Sequence, residues 1–558
     1  MPNNMIWQEK LNAWLTSKKH ERFVIVALVV LYALFLTYNI ADPFIGTSEA
    51  FNGMYGIAAW NWLRVGAVNL WFTQMTPYNV EPILPEITKN FFINHPQFFI
   101  APAAISYWLF GIGEWQTRLG PIIFSLLSLL IFWAIIKRVF KNPLLAAVSS
   151  LFYIFFPMGI YYGRMLTQEP VTMLFVLAFI WATIAFEQER SRKYFYLFCA
   201  AAFVGGLMDW QFVFTAAAVW LYIALKKDYP ERKKAIVLVP TFLFASIGVL
   251  MLQITGLTNF TANGFTYHYN LFLARGGVSL FAAFLQKLAD LPLFIVVRSM
   301  FDFIGFSEIA LTLAIFGAVK YISKHKQDKN KLLFAGLIAA TGILVYAVMT
   351  GHSTAHQFLG FYWIPPVAFF AGWALIRLRR AWFAGLLLIL FMGSSLWYAN
   401  GLFAYKSFAE NDFELLKRVN ATVPASEPIC MGDNSVNGNV KFYLYPRVFS
   451  ETPCPTSDTY FVLRRPESYA EKDPSSSLLQ SFFTSGFSGN IKRVSFLTAT
   501  GIEFVKVIPF LKEKVWKLLI VHDPRTGYVE IAQGLRDFIR ENKLRAVECA
   551  TYFCFYEK

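Results

Sequence analysis

The chain has 558 residues, of which 56% are hydrophobic and only 15% charged, with a formal net charge of +15. A soluble domain carries about 25% charged residues, and here the apolar residues come in runs of about 17 to 24, the length a bilayer core requires; an ordinary soluble protein is excluded. The basic excess sits in short loops between apolar runs, where it sets topology, so nucleic acid is set aside as a partner. Two parts follow: a membrane region, 1–404, and a polar remainder, 405–558, of about 150 residues, long enough to bury its own core.

Lys10, Lys18, Lys19 and Arg22 precede the first apolar run, Phe23 to Ile40. That run is too long for a signal core and no small-x-small cleavage site follows it, so it is expected to stay as a helix with the N-terminus cytoplasmic. The remaining basic clusters are Lys137, Arg138 and Lys141; Arg190, Arg192 and Lys193; Lys226, Lys227, Arg232, Lys233 and Lys234; Lys320, Lys324, Lys326, Lys329 and Lys331; and Arg377, Arg379 and Arg380. All five fall inside if the spans are 23–42, 120–137, 143–160, 171–187, 194–209, 211–226, 235–255, 303–320, 332–350, 358–376 and 382–400. The fold class is then a polytopic α-helical membrane protein of about eleven spans in the cell (inner or plasma) membrane, with residues from 401 onward outside. Gln97 to Gly111 is apolar but short and contains Pro102, and counting it as a span would invert every later loop. It is expected to lie in the outer interface, as is Pro292 to Arg298.

This register gathers the unusual polar residues on the outer side. The first outer loop, 43–119, holds Glu49, Asn52, Asn61, Arg64, Lys89, His95, Glu114 and Arg118. The second holds Arg164, Gln168 and Glu169, and Asp209 closes the next outer helix end. The loop 256–302 holds His268, Arg275, Lys287, Asp290 and Arg298, and the last holds His352 and His356. Polar residues at membrane depth are costly and usually face a site or cavity. A lipid-linked phosphorylated substrate presents its headgroup at this depth. Arg and Lys would hold the phosphate, and a carboxylate would take the proton of an attacking hydroxyl. A transporter vestibule has a similar composition.

Three segments carry a resemblance. The first runs from Gly46 through Ser48, Glu49, Asn52 and Tyr55, and on through Trp60, Asn61 and Arg64 to Gly66. The second is Asn94, His95, Pro96 and Gln97, then Tyr107 to Gly111, then Glu114 to Leu119. The third is Gly163, Arg164, Met165, Leu166, Thr167, Gln168, Glu169 and Pro170. Together, and in this order, they resemble the GT-C superfamily of polyprenyl-phosphate-sugar glycosyltransferases, in the branch of bacterial protein mannosyltransferase-like and lipid A aminoarabinose transferase-like enzymes. The resemblance covers about residues 20–225 well, 226–400 in general layout and the tail hardly at all.

It implies transfer of a sugar, with inversion, from a polyprenyl-phosphate carrier to a protein, lipid or glycan acceptor at the outer membrane face. In the family an acidic pair, Asp then Glu, stands in the first loop; this chain has Ser48 and Glu49, so the general-base role falls to Glu49. His95 fits the family's Lys or His before Pro, and Glu169 fits its Asp or Glu before Pro. The expected catalytic residues are Glu49 and Glu169. The expected substrate contacts are His95, Arg164, Arg275, Tyr55, Asn52, Arg298 and His356.

Plainer roles stand beside these. Glu49 could cap the helix that follows it; His95 and Glu169 each precede a proline suited to a helix start. Arg164, Arg275 and Arg298 could anchor to lipid headgroups. Arg118 and Glu114 read as a structural pair, and Asp209 beside Trp210 as a helix end. His352 and His356 have i, i+4 spacing but no matching acid for zinc. A divalent ion on Glu49 and Glu169 is an option that the family branch does not generally require. A transporter or flippase, or an inactive lipid-phosphate-binding scaffold of the same fold, remains an alternative to the transferase.

From Asn411 the pattern changes. Phe413 to Val419 and Ile531 to Asn542 read as helices; Pro428 to Met431, Thr459 to Leu463, Phe504 to Ile508 and Trp516 to Val521 read as strands. A small extracytoplasmic α/β domain is expected, serving acceptor recognition or acting as a lid. It holds Cys430, Cys454, Cys549 and Cys554; in an oxidising compartment, pairing 430 with 454 and 549 with 554 is the simplest arrangement, against four free thiols.

Overall fold

A computed structural model describes residues 6–44, 46, 48–74, 96, 98–257, 302, 304–348, 357–404, 410–423, 429–431, 442–443, 449–451, 460–464, 545–549 and 553–557. The chain divides into two compact units: 1–42, 58–75 and 91–399 in the first, and 43–57, 76–90 and 400–558 in the second.

The first unit is helical. Its elements are α1 (Ile6–Thr16), α2 (Lys18–Thr37), the end of α3 (Ala50–Asn61), α4 (Ala101–Phe110), α5 (Glu114–Phe140), α6 (Pro143–Phe155), α7 (Pro157–Tyr162), α8 (Gln168–Glu189), α9 (Arg192–Met208), α10 (Phe212–Leu225), α11 (Arg232–Leu257), α12 (Glu308–His325), α13 (Lys329–Val348), α14 (Ile364–Leu375) and α15 (Ala381–Ala404). Among the described residues seven helices are long and apolar enough to cross a membrane: α2, α5, α8, α11, α13, α14 with the 3-10 turn before it, and α15. Each coincides with an expected span, and the chain is a multi-pass membrane protein.

The other four expected spans fall on shorter or more polar helices. The run 143–160 is continuous in sequence but two helices in the structure, because Phe156 is extended (φ −62°, ψ 125°) and Pro157 opens a new helix without an N–H to offer. The spans expected at 194–209 and 211–226 become α9, of 17 residues, and α10, of 14. Gln97 to Gly111 forms a 3-10 turn, Phe98–Ile100, followed by α4. Thirteen helical residues from Phe98 to Phe110 reach about 20 Å, short of a hydrocarbon core of about 30 Å. α4 lies tightly on α5: a Cβ at Gly120 would stand 2.5 Å from that of Pro102.

The helices pack side by side, α8 between α5 and α9, α9 against α11, and α12 along α14. Basic residues close the helix ends that the charge pattern assigns to the inside. Lys141 (φ 49°) and Arg190 (φ 53°) are left-handed caps on α5 and α8, where a cation also meets the negative end of the helix dipole. Nearby, Glu187 accepts from Tyr222 (2.5 Å) and pairs with the buried Lys226.

The second unit comprises residues 43–57, with the first turns of α3, and the tail. α16 (Glu410–Thr422) buries Phe413, Leu416 and Val419 at helical spacing. Five strands, β1 (Ile429–Met431), β2 (Phe449–Glu451), β3 (Tyr460–Arg464), β4 (Arg545–Cys549) and β5 (Phe553–Glu557), form a sheet of order β2-β1-β3-β5-β4. β1 runs parallel to β2 and β3; β5 runs antiparallel to β3 and β4. Cys549 and Cys554 are cross-strand partners in the β4–β5 register. The Phe44 ring lies 5.0 Å from that of Phe442, and its N–H donates to Tyr443 Oη at 2.6 Å.

α16, β1 and β3 fall where the sequence pattern places a helix and two strands. The strands expected at 504–508 and 516–521 and the helix at 531–542 lie outside the described residues, as do Cys454 and 292–298.

Candidate active site

The third segment of the resemblance is built by close backbone approach. Gly159 and Gly163 stand one turn apart, and a Cβ at Gly163 would lie 2.2 Å from the Gly159 carbonyl oxygen. Tyr32 donates to the Gly159 carbonyl (3.2 Å) and Ser125 to that of Gly163 (2.6 Å), so α2 and α5 both hold this turn. Arg164 is buried and donates from Nη1 to the Tyr38 carbonyl. Arg118 is likewise buried and donates to the carbonyls of Ile40 and Asp42, both at 2.6 Å. These two guanidiniums satisfy carbonyls just past the C-terminus of α2, groups that a helix end leaves without intrahelical partners.

Beyond Arg164 the chain straightens at Thr167 (φ −122°, ψ 171°) and α8 begins. Pro170 fits its first turn, where no N–H is needed, and Glu169 sits in the positive end of the helix dipole. Glu169 is 1% exposed. Thr167 and Gln211 lie beside its carboxylate, and Asp209 is close enough to repel it. Asp209 is also fully buried, extended (φ −159°, ψ 150°) between α9 and α10, and accepts from Tyr362 Oη at 3.1 Å. The hairpin that presents Asp209 is tight because Gly205 allows it: a Cβ there would stand 2.3 Å from the Phe212 ring.

The result is a buried polar cluster drawn from three places: the start of α8, the α9–α10 turn, and the 3-10 segment Gln357–Trp363 that precedes α14. In the charge-derived register all three lie on the outer side. Burying two neighbouring carboxylates requires hydrogen bonds or positive charge around them, so a polar cluster has to be built at this depth. That is the pattern of a functional site.

Glu49 belongs to the second unit. It precedes the first residue of α3, is 2% exposed, and its backbone carbonyl accepts from Gly53. Asn52 and Tyr55 are buried on α3, with Tyr55 stacked on Phe51 at 6.0 Å. Ser48 adopts φ 58°, a left-handed conformation that Asn and Asp enter more readily than other side chains. His95, Arg275, Arg298, His352 and His356 lie outside the described residues. Among the described residues no group of three or more His, Cys, Asp or Glu could hold a metal ion.

Sequence reasoning selects Glu169 but gives Asp209 the plainer role of helix end, and it passes over Gln211 and Tyr362. An acid between two apolar runs is the signal for the first. Tyr362 has none, since a tyrosine at a helix boundary is usual in any membrane interface.

Residues 94–254 match the family model described as dolichyl-phosphate-mannose-protein mannosyltransferase. No curated protein sequence gives a significant match. Among solved structures the chain is similar to ArnT from Cupriavidus metallidurans bound to undecaprenyl phosphate, with a TM-score of 0.56 at 15% identity, covering 82% of this chain and 95% of that one. The apo state of the same protein gives a TM-score of 0.53 at 13% identity, covering 83% and 96%. The chain shares its fold with ArnT.

Proposed function

We propose that this protein is a membrane glycosyltransferase that moves a sugar from a polyprenyl-phosphate carrier to an acceptor at the outer face of the membrane. The observation that carries the reading is the buried cluster of Glu169, Asp209, Gln211 and Tyr362, set in a GT-C fold at helix starts that the charge pattern assigns outside. The structural neighbour's undecaprenyl phosphate supports a lipid-phosphate donor.

In the proposed reaction the acceptor hydroxyl or amine attacks the anomeric carbon. A new bond forms there as the bond to the phosphate oxygen breaks, with inversion. Glu49 takes the acceptor proton, and polyprenyl phosphate leaves with the electron pair. That leaving group needs positive charge and hydrogen-bond donors more than a proton, and His95, Arg164 and Arg275 are assigned to it. Glu169 orients the reacting groups. Asn52, Tyr55, Arg298 and His356 are further substrate contacts. The proposal includes eleven spans, a cytoplasmic N-terminus, and a tail forming an extracytoplasmic α/β domain that selects the acceptor.

The test uses membranes, a radiolabelled polyprenyl-phosphate hexose as donor, and native lipid and protein extract as acceptor, comparing wild type with Glu49→Gln. Loss of transfer by about 100-fold or more, the usual contribution of a general base, supports the reading. Equal transfer in both moves the base elsewhere, and no transfer by wild type from a panel of donors overturns the transferase.

A further inference from the structure

Five buried side-chain oxygens at the start of α8 and along α10 lack a partner within hydrogen-bond geometry: Glu169 Oε2, Thr167 Oγ1, Thr172 Oγ1, Gln211 Oε1 and Thr215 Oγ1. None of the five residues is more than 1% exposed. Their placement is ordered. Thr172 lies three residues after Glu169 on α8 and stands beside Tyr362; Gln211 reaches the Glu169 carboxylate from the start of α10; Thr215 lies one turn further along α10, which packs on α8. A buried oxygen without a partner is costly, and five on two packed helices and the residue before each form a surface able to accept hydrogen bonds.

The chemistry of that surface selects its ligand. The amide oxygen accepts and cannot donate; the hydroxyls and the Glu169 carboxyl can accept as well. An ionised phosphate offers only acceptors of its own and cannot pair with such a set. A group that brings several O–H or N–H donors and no negative charge is favoured.

We infer that this cluster is the sugar subsite: the hydroxyl or amino hydrogens of the donor's sugar ring bond to Glu169, Thr172, Gln211 and Thr215, while the carrier phosphate is held away from it. This rests on the transferase reading and adds which end of the donor sits here. A site that hydrogen-bonds the sugar discriminates strongly against a ligand lacking it, because the buried oxygens are then left unpaired. Thr215 and Gln211 therefore determine affinity for the glycosylated carrier and not for the bare one.

The experiment measures binding of two ligands to the full chain in lipid nanodiscs: bare polyprenyl phosphate, and polyprenyl phosphate carrying each of a panel of hexoses and an aminopentose. Thr215→Val and Gln211→Met keep size and remove an acceptor. Each is expected to weaken the glycosylated ligand about tenfold and to leave the bare carrier unchanged. Equal weakening of both ligands, or of neither, overturns the inference; a structural water at the cluster would give the former. In both cases a wild type that still binds the glycosylated carrier and transfers its sugar leaves the transferase standing. A wild type that binds neither ligand overturns both readings. A folding defect is separated by Thr215→Ser, which restores the oxygen and is expected to restore discrimination.

Discussion

Tyr362→Phe removes one hydroxyl and keeps the ring. In the structure that hydroxyl donates to Asp209 Oδ2 at 3.1 Å, and both residues are fully buried. A hydrogen bond to a charged group contributes about 1.5–3 kcal/mol, and no bulk solvent reaches Asp209 to replace it, so a loss in the middle of that range is expected. A control lies at the far ends of α8 and α10. Tyr222 of α10 donates to Glu187 of α8 at 2.5 Å, where Lys226 also pairs with the carboxylate. Tyr222→Phe removes the same kind of bond and leaves the cation in place, so its cost falls toward the lower end. Stability is read from equilibrium unfolding of the purified protein in mixed micelles, and sugar transfer in the same preparations. Both variants are expected to lose stability, and only Tyr362→Phe to lose transfer, by tenfold or more. If both variants lose transfer equally, or neither does, the assignment of chemistry to the Asp209 end is refuted.

Other perturbations test separate links. Gly205→Ala gains about 1 kcal/mol of helix propensity, yet its Cβ would meet the Phe212 ring at 2.3 Å. Overpacking of that kind costs about 1–3 kcal/mol, so net destabilisation is expected in the same unfolding assay, and a stabilised variant would contradict the tight α9–α10 hairpin. Ser48→Asp places an acid at a φ of 58° that Asp tolerates better than most residues; it is expected to fold normally, by size-exclusion profile, and to preserve or raise transfer. Exhaustive chelation of divalent ions is expected to leave transfer unchanged; loss restored by added metal would assign an ion to the carboxylates. In the tail, Cys549 and Cys554 are cross-strand partners in the backbone register, and non-reducing mass spectrometry is expected to find them joined; alkylation of both thiols in the freshly isolated protein would place the tail in a reducing compartment.

Much of the membrane part is legible in the sequence because a bilayer imposes length and charge rules that act locally. The seven long apolar helices follow from apolar run length, and basic residues stand at or beside one end of each. What is not legible is where an apolar run breaks. Phe156 and Pro157 split one run into α6 and α7, and hydropathy cannot see a backbone angle. The site is half legible for a similar reason. Glu169 is visible because an acid before a proline stands out within an apolar stretch. Tyr362 and Gln211 act through distances across helices that are 150 residues apart or joined by a tight turn, and no local pattern records those. The tail is the least legible: β4 carries Arg545 and Glu548 and lacks the clean alternation that reveals a half-buried strand.

A transferase of this kind must break the bond between sugar and lipid phosphate, so free carrier must appear with every sugar transferred. Purified protein in nanodiscs would be given a labelled polyprenyl-phosphate sugar and an acceptor extract, and free polyprenyl phosphate and labelled acceptor would be measured together. Wild type is expected to yield both in equal amounts, and Glu169→Gln to bind donor while yielding neither. Donor that crosses the bilayer of a proteoliposome with its sugar still attached, and no free carrier from wild type, would contradict the account and make the protein a transporter.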